Sequence, residues 1–282
     1  MLGPDIVANS ISARRKADEK GNLWQYHPRS DHHSKVACWG VVLDLLIACP
    51  LLRKHVEDGK VFFGINHQMR DFVHNKSKDL DLVICTPSSG QAIKKPRSLR
   101  SMVKQYGIVL TAQERSALEQ VPDIQQAPVG SVLIAVEAKA CMTAHQKALP
   151  RLHDELNSSH QIVHGASDQA IAVGVAMVNI APKFLSPIPN LHMQAVGETW
   201  SPHDQPKAAS AVVKMLYDLP RRSKVTDTGF DAFATIIIDC ENDGSAVTIK
   251  NGPPAPAPLD GHHYATMVDR LAHTYATRFR DI

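Results

Sequence analysis

Residues 132–145 read VLIAVEAKACMTAH: five apolar residues, then Glu137 and Lys139 with a single alanine between them. The apolar run predicts a buried strand. The residues that follow, 145–165 (HQKALPRLHDELNSSHQIVHG), predict a helix with Leu149, Leu152 and Leu156 on one stripe, begun or bent by Pro150. Side chains two apart in a strand share a face, so Glu137 and Lys139 project together. Buried charges are costly unless they are paired or hold a metal. Either the strand surfaces at this point, or these two side chains have a chemical task.

Working outward, strands alternate with helices. KVFFGIN (60–66) and DLDLVIC (79–85) read as strands joined by a polar turn, and QAIAVGVAMVNI (169–180) as a central strand. A near-continuous apolar helix is expected through HHSKVACWGVVLDLLIAC (32–49), behind an irregular or partly helical leader over 1–30. Thr111 with Glu114 three residues later has the spacing of a capping box. After a Pro-rich connection over 181–206 come a helix (207–219), a strand (233–240), a loop and a terminal helix (264–279). The pattern is that of a mixed α/β fold without internal repeats. The chain's 282 residues and 44% hydrophobic content are read as one domain, 1–282.

Composition excludes several classes. Five scattered cysteines without a CxxC argue against a disulfide framework or a zinc site. The longest apolar stretch is interrupted by Asp44 and Pro50 and falls short of a membrane span, and the N-terminus lacks the apolar segment of a secretory signal; a cytoplasmic protein with no membrane partner is expected. The histidine pairs His32-His33 and His262-His263 fit no HExxH or HxH pattern and read as surface or cap residues. No G-x-S-x-G surrounds Ser158 and Ser159, and AVGVAM lacks the glycines of a dinucleotide site. The net charge of +3 says little, but KKPRSLRSMVK (94–104) carries five cations and no anion.

In the strand upstream, Asp79 and Asp81 share a face by alternation, with Leu80, Leu82 and Ile84 opposite. Two neighbouring strands presenting carboxylates and an ammonium at one end suit a hard cation with oxygen ligands. An acidic residue opening an apolar strand (Asp81-Leu82-Val83-Ile84), then a strand ending Glu137-Ala138-Lys139 and passing into a helix, resembles the PD-(D/E)XK nuclease superfamily, and type II restriction endonucleases in particular. The resemblance spans about residues 30–180 by element order. It implies a restriction-endonuclease-like core, a mixed β-sheet flanked by helices, with 181–282 completing the sheet or adding dimerisation or DNA-recognition elements. It also implies catalytic Asp81, Glu137 and Lys139. The metal, magnesium or manganese in its place, would lie on Asp81, Glu137 and the Ala138 carbonyl, with Asp79 as a competing ligand. Leu80 stands where the family pattern has proline. An additional acid from the N-terminal helix would be Asp44 or Glu57.

The expected substrate is double-stranded DNA, cut at a specific sequence by a homodimer, with Lys94, Lys95, Arg97, Arg100, Lys104, Lys147 and Arg151 on its phosphates. His145 is placed either near the scissile phosphate or in a local hydrogen bond. The alternatives are a structure-specific or repair nuclease on the same core, and a non-catalytic DNA-binding or protein-interaction module.

Overall fold

The computed structural model describes residues 1–13, 16–72, 74–89 and 93–282. Three helices lead the chain: α1 (Gly3–Ile11), α2 (His32–Ala48) and α3 (Pro50–Glu57). Strands β1 (Phe62–Asp71) and β2 (Lys76–Pro87) form a hairpin, and α4 (Leu99–Tyr106) and α5 (Ala112–Glu119) separate it from β3 (Val129–Cys141). Helix α6 (His145–Ala166) leads to β4 (Ile171–Asn179), and α7 (Lys207–Tyr217) precedes β5 (Ala232–Asp239), β6 (Thr248–Ile249) and α8 (Tyr264–Arg278).

The six strands form one mixed sheet in the spatial order β6-β5-β4-β3-β2-β1. The β1–β2 and β2–β3 pairs are antiparallel, β3–β4 and β4–β5 are parallel, and β6 returns antiparallel on β5. Parallel neighbours need a crossover, which α6 supplies between β3 and β4. Every residue of β4 is buried, as an inner strand covered on both faces requires. One face carries α1, α2 and α8 over Leu82, Ile84, Val136 and Val175; the other carries α6 and α7 over Leu80, Val83, Ala135 and Ala176.

Helix α2 is apolar all round because the sheet, α1, α4 and α8 enclose it. No single helix among the described residues is long and apolar enough to cross a membrane; α2 and α3 together have the composition, but they meet at a bend of 100°. Residues 181–282 add β5 and β6 to the same sheet and place α8 against α2. The leader contains α1, in line with a partly helical expectation, and α4 begins within the basic segment. Helix α6 starts at His145, ahead of Pro150, which lies inside it.

Several histidines correct the surface-or-cap expectation. His160 is buried with its ring 5.1 Å from that of Phe230, and His262 is buried with its ring stacked 4.1 Å from Tyr217. Burial pushes both imidazoles down to about 4, helped by His164 beside the first and Arg221 beside the second. A histidine whose folded pKa lies below its unfolded value supports the fold above about pH 6.5 and opposes it as pH falls toward 4. Urea unfolding followed from pH 7 to pH 4.5 is therefore expected to lose about 1.4 kcal/mol per pH unit for each such histidine. A flat profile would contradict this assignment.

Candidate active site

The site begins as a fault in strand β2. Lys78 and Leu80 face α6, whereas Leu82 and Ile84 face α2, so the alternation changes phase across Asp81. The three aliphatic residues do not share a face as simple alternation predicts. Asn66, which lies across from Asp81 on β1, takes a left-handed conformation with φ 50°. The β2–β3 ladder runs from Pro87↔Val129 to Leu82↔Val136. One residue beyond it, Asp81 Oδ2 itself accepts the Ala138 N–H at 3.1 Å. A side-chain carboxylate thus stands where a ladder carbonyl would, against the peptide that joins Glu137 to Ala138.

The other Asp81 oxygen turns to helix α2. Lys35 Nζ lies 3.0 Å from Oδ1 and also donates to the Asp81 carbonyl and Asn66 Oδ1, while Ser34 Oγ donates to Oδ1 at 3.2 Å. Lys35 is only 1% exposed. The N-terminal helix therefore brings a cation to the site, where an additional acid was expected. Asp44 is buried elsewhere and caps α1, accepting the N–H groups of Leu2 at 2.8 Å and Gly3 at 2.7 Å. Glu57 lies exposed at the end of α3. Asp79 is exposed opposite Gln68 of β1, so the phase change leaves Asp81 as the acid that reaches β3.

Glu137 is 2% exposed and keeps its two oxygens in different states. Oε1 receives Lys139 at 2.9 Å and Lys78 at 3.2 Å; Oε2 is buried without a hydrogen-bond partner. Lys78 also donates to the Glu155 carbonyl and to Ser159 Oγ of α6. Glu155 lies 3.7 Å from Lys139 through Oε2 and 2.6 Å from Arg151 Nε through Oε1. Burial acts against the ammonium of Lys139, but Glu137, Asp81 and Glu155 outweigh it and hold its pKa above the ordinary lysine value. For Lys78 burial prevails over Glu137, and its pKa is lowered. Burial also opposes the Glu155 carboxylate, yet Arg151, Lys139 and Lys78 lower its pKa on balance.

Asp81, Glu137 and Lys139 thus meet at one place, with Arg151 at its edge. Lys35, Lys78 and Glu155 belong to the same cluster and were not foreseen. For Glu155 a signal existed, since it continues the stripe of Lys147 and Arg151 by one further step of four. His33 sits beside this cluster with its ring 4.9 Å from that of Tyr26, and burial pushes its imidazole down to about 4 despite Asp81 nearby. His145 is buried and hydrogen-bonds the Asn179 carbonyl at 2.8 Å, the local alternative.

Residues 125–127 run along the β1 edge, with the Phe63 N–H on the Gln125 carbonyl, and the basic segment lies outside them, its Arg97 carbonyl accepting the Gln126 N–H and its Leu99 N–H donating to the Ile124 carbonyl. Lys94, Lys95 and Lys104 are exposed and Arg97 is half-buried. Arg100 is exposed as well, and its Nη2 donates to the carbonyls of Glu119 and Val121, which ties α4 to the end of α5. Lys147 is exposed on α6.

Among the described residues, no three His, Cys, Asp or Glu side chains are grouped to hold a metal ion by themselves. The oxygen without a hydrogen-bond partner here is Glu137 Oε2, while the Asp81 carboxylate is engaged by Lys35 and Ser34 through Oδ1 and by the Ala138 N–H through Oδ2. No family model, curated protein or solved structure matches this chain.

Breaking a buried ion pair strands the remaining charge. Lys35→Met is accordingly expected to lower stability by about 3 kcal/mol, with Asp81→Asn in the same background recovering part of the loss. Urea unfolding midpoints of the two single variants and the double variant measure this coupling; simple additivity would mean that the pair contributes nothing.

Proposed function

We propose that this chain is a magnesium-dependent endonuclease that hydrolyses phosphodiester bonds of double-stranded DNA on a restriction-endonuclease-like core. One observation carries the reading: the Asp81 carboxylate rests on the Ala138 N–H, between Glu137 and Lys139, next to a glutamate whose second oxygen is buried and unpartnered. The element order supports it, with α2 beside the site, an acidic strand, a Glu-x-Lys strand, and α6 leading from that strand to a parallel neighbour.

The donor set fits a hard divalent cation. Two carboxylates and a backbone carbonyl are the oxygen ligands that magnesium takes, and Glu137 Oε2 has lone pairs that no protein group uses. Magnesium, or manganese in its place, would supply charge neutralisation on the phosphate and a more acidic water. The chain's own groups supply the rest. Glu137, Asp81 and Glu155 favour the ammonium form of Lys139 in the free chain, and from that form it supplies positive charge toward the phosphorane oxygens. Asp81 is oriented from two sides, by Lys35 and by the Ala138 peptide, which fixes its carboxylate beside the Glu137-Ala138-Lys139 segment. Arg151 and Lys147, one turn apart on α6, are placed to take flanking phosphates.

Sequence-specific cutting by a homodimer belongs to the same reading, since two sites related by two-fold symmetry answer two DNA strands. So does a cytoplasmic location, in keeping with five free, buried cysteines. Asp81→Asn, Glu137→Gln and Lys139→Ala are each expected to reduce magnesium-dependent cleavage of plasmid DNA by about a hundredfold or more, while duplex binding without metal persists. Discrete bands would mark sequence recognition, and cuts confined to nicks or junctions would mark a repair enzyme. Undiminished cleavage by the three variants, or no cleavage by the native protein, sinks the proposal.

A further inference from the structure

Beside Lys139, at the carboxyl end of β3, lies a cavity of about 430 Å³ that the hydrolytic groups do not fill. Its size falls within the roughly 300–1,000 Å³ of small-molecule pockets. The walls are unlike the charged cluster next to them: Tyr26, Phe184, Ile188 and three prolines provide apolar and aromatic surface, and the hydroxyls of Ser186 and Ser201 interrupt it. Lys139 and Arg151 are also part of its lining, together with Glu155, whose carboxylate lies between them. Arg151 spends only Nε on Glu155, which leaves the two terminal NH2 groups of an exposed side chain for another anion.

The walls are pinned in place. Asn242, fully buried, accepts the Tyr26 N–H at 2.8 Å and donates to the carbonyls of Tyr26 at 3.1 Å and Leu185 at 2.9 Å. One side-chain amide therefore fixes both the leader wall and the Pro-rich wall. Asn190 braces the same wall by donating to the carbonyls of Ser186 at 2.9 Å and Thr199 at 2.7 Å. A concavity held this firmly, apolar in one part and cationic in another, has the chemistry of a nucleotide: a flat base on apolar and aromatic surface, and a phosphate on ammonium and guanidinium groups.

We infer that this cavity seats one unstacked nucleobase of the strand being cut, with the adjoining phosphate on Arg151 and Lys139. This rests on the nuclease reading and adds to it that the substrate is bound with a base drawn out of the stack, a step whose cost of a few kcal/mol the pocket's contacts offset. Tyr26 is the half-buried aromatic available to that base.

The experiment compares 2′-deoxynucleoside 5′-monophosphates with deoxyribose 5-phosphate as ligands of the full chain by calorimetry. Each is measured with the native protein, with Ala148→Trp to fill the cavity from α6, and with the exposed-residue variant Ile188→Asp, which leaves the packed interior alone. The expected result is that a base strengthens binding by about tenfold, the order of one base–aromatic contact, and that both variants erase this gain. Equal binding of the base-free sugar phosphate, or a gain that survives both substitutions, overturns the inference. Plasmid cleavage is followed in parallel. Cutting without a base-dependent gain refutes the pocket and leaves the nuclease reading standing; a base-dependent gain lost in both variants, without any cutting, upholds the nucleotide pocket and removes the nuclease.

Discussion

The Asp81 carboxylate is the point on which the architecture of the site turns. Its Oδ1 is held by Lys35 from α2, and its Oδ2 takes a main-chain N–H of β3. Three elements are thereby tied through one side chain that is itself only partly accessible. This exchange of a ladder carbonyl for a carboxylate lets β2 and β3 part company beyond Leu82↔Val136 without leaving the Ala138 N–H unsatisfied. Past that point Glu137 and Ala138 stay buried, and Lys139, about a quarter exposed, reaches the cavity at the carboxyl end of β3. Replace Asp81 by an apolar residue and the two strands have no reason to separate there.

The charges around that point are not arranged for stability. Asp81, Glu137 and Glu155 face Lys35, Lys78, Lys139 and Arg151, and Glu137 and Lys35 are almost wholly buried. Desolvation of each buried ion costs several kcal/mol, and well-packed apolar side chains of similar volume commonly serve a fold as well or better. A cluster kept only for packing would also not leave one Glu137 oxygen without a partner. The lysines neutralise the acids while the protein is free of ligand. The orphaned oxygen is a carboxylate atom of the cluster that receives no hydrogen-bond donor, and it belongs to the residue that the sequence pattern singled out.

Much of the frame was legible in the residues. The apolar run before Glu137, the leucine stripe after it and the β-branched run over 169–180 announce β3, α6 and β4 through local periodicity. Thr111 and Glu114 do form the capping box their spacing suggests. What escaped depends on partners far along the chain. Helix α4 is capped by Ser98 with Ser101, a pair outside the usual Ser/Thr-x-x-Glu pattern, and α1 is capped by Asp44 from another helix. Lys78 lay in what read as a polar turn, because the phase change at Asp81 that makes it an inward residue is produced by tertiary contacts. Lys35 is the fourth residue of a largely apolar helix, with no local sign that its ammonium has a carboxylate to meet.

The far wall of the cleft obeys the same logic with uncharged groups. Asn179 accepts the N–H groups of Ala181 and Cys240 and donates to the carbonyls of Met142 and Cys240, so all four of its hydrogen bonds are made. It joins the carboxyl ends of β3, β4 and β5, the end of an open α/β sheet at which ligands are usually received. Asn242 extends the arrangement to Tyr26 and Leu185, bringing in the leader and the Pro-rich segment. A fully satisfied buried amide is expensive to displace, since any movement strands several polar groups at once. The two sides of the cavity are thus held by different means, the apolar wall by neutral amides whose hydrogen bonds are internal and the charged edge by the ion pairs of Glu137, Lys139, Glu155 and Arg151.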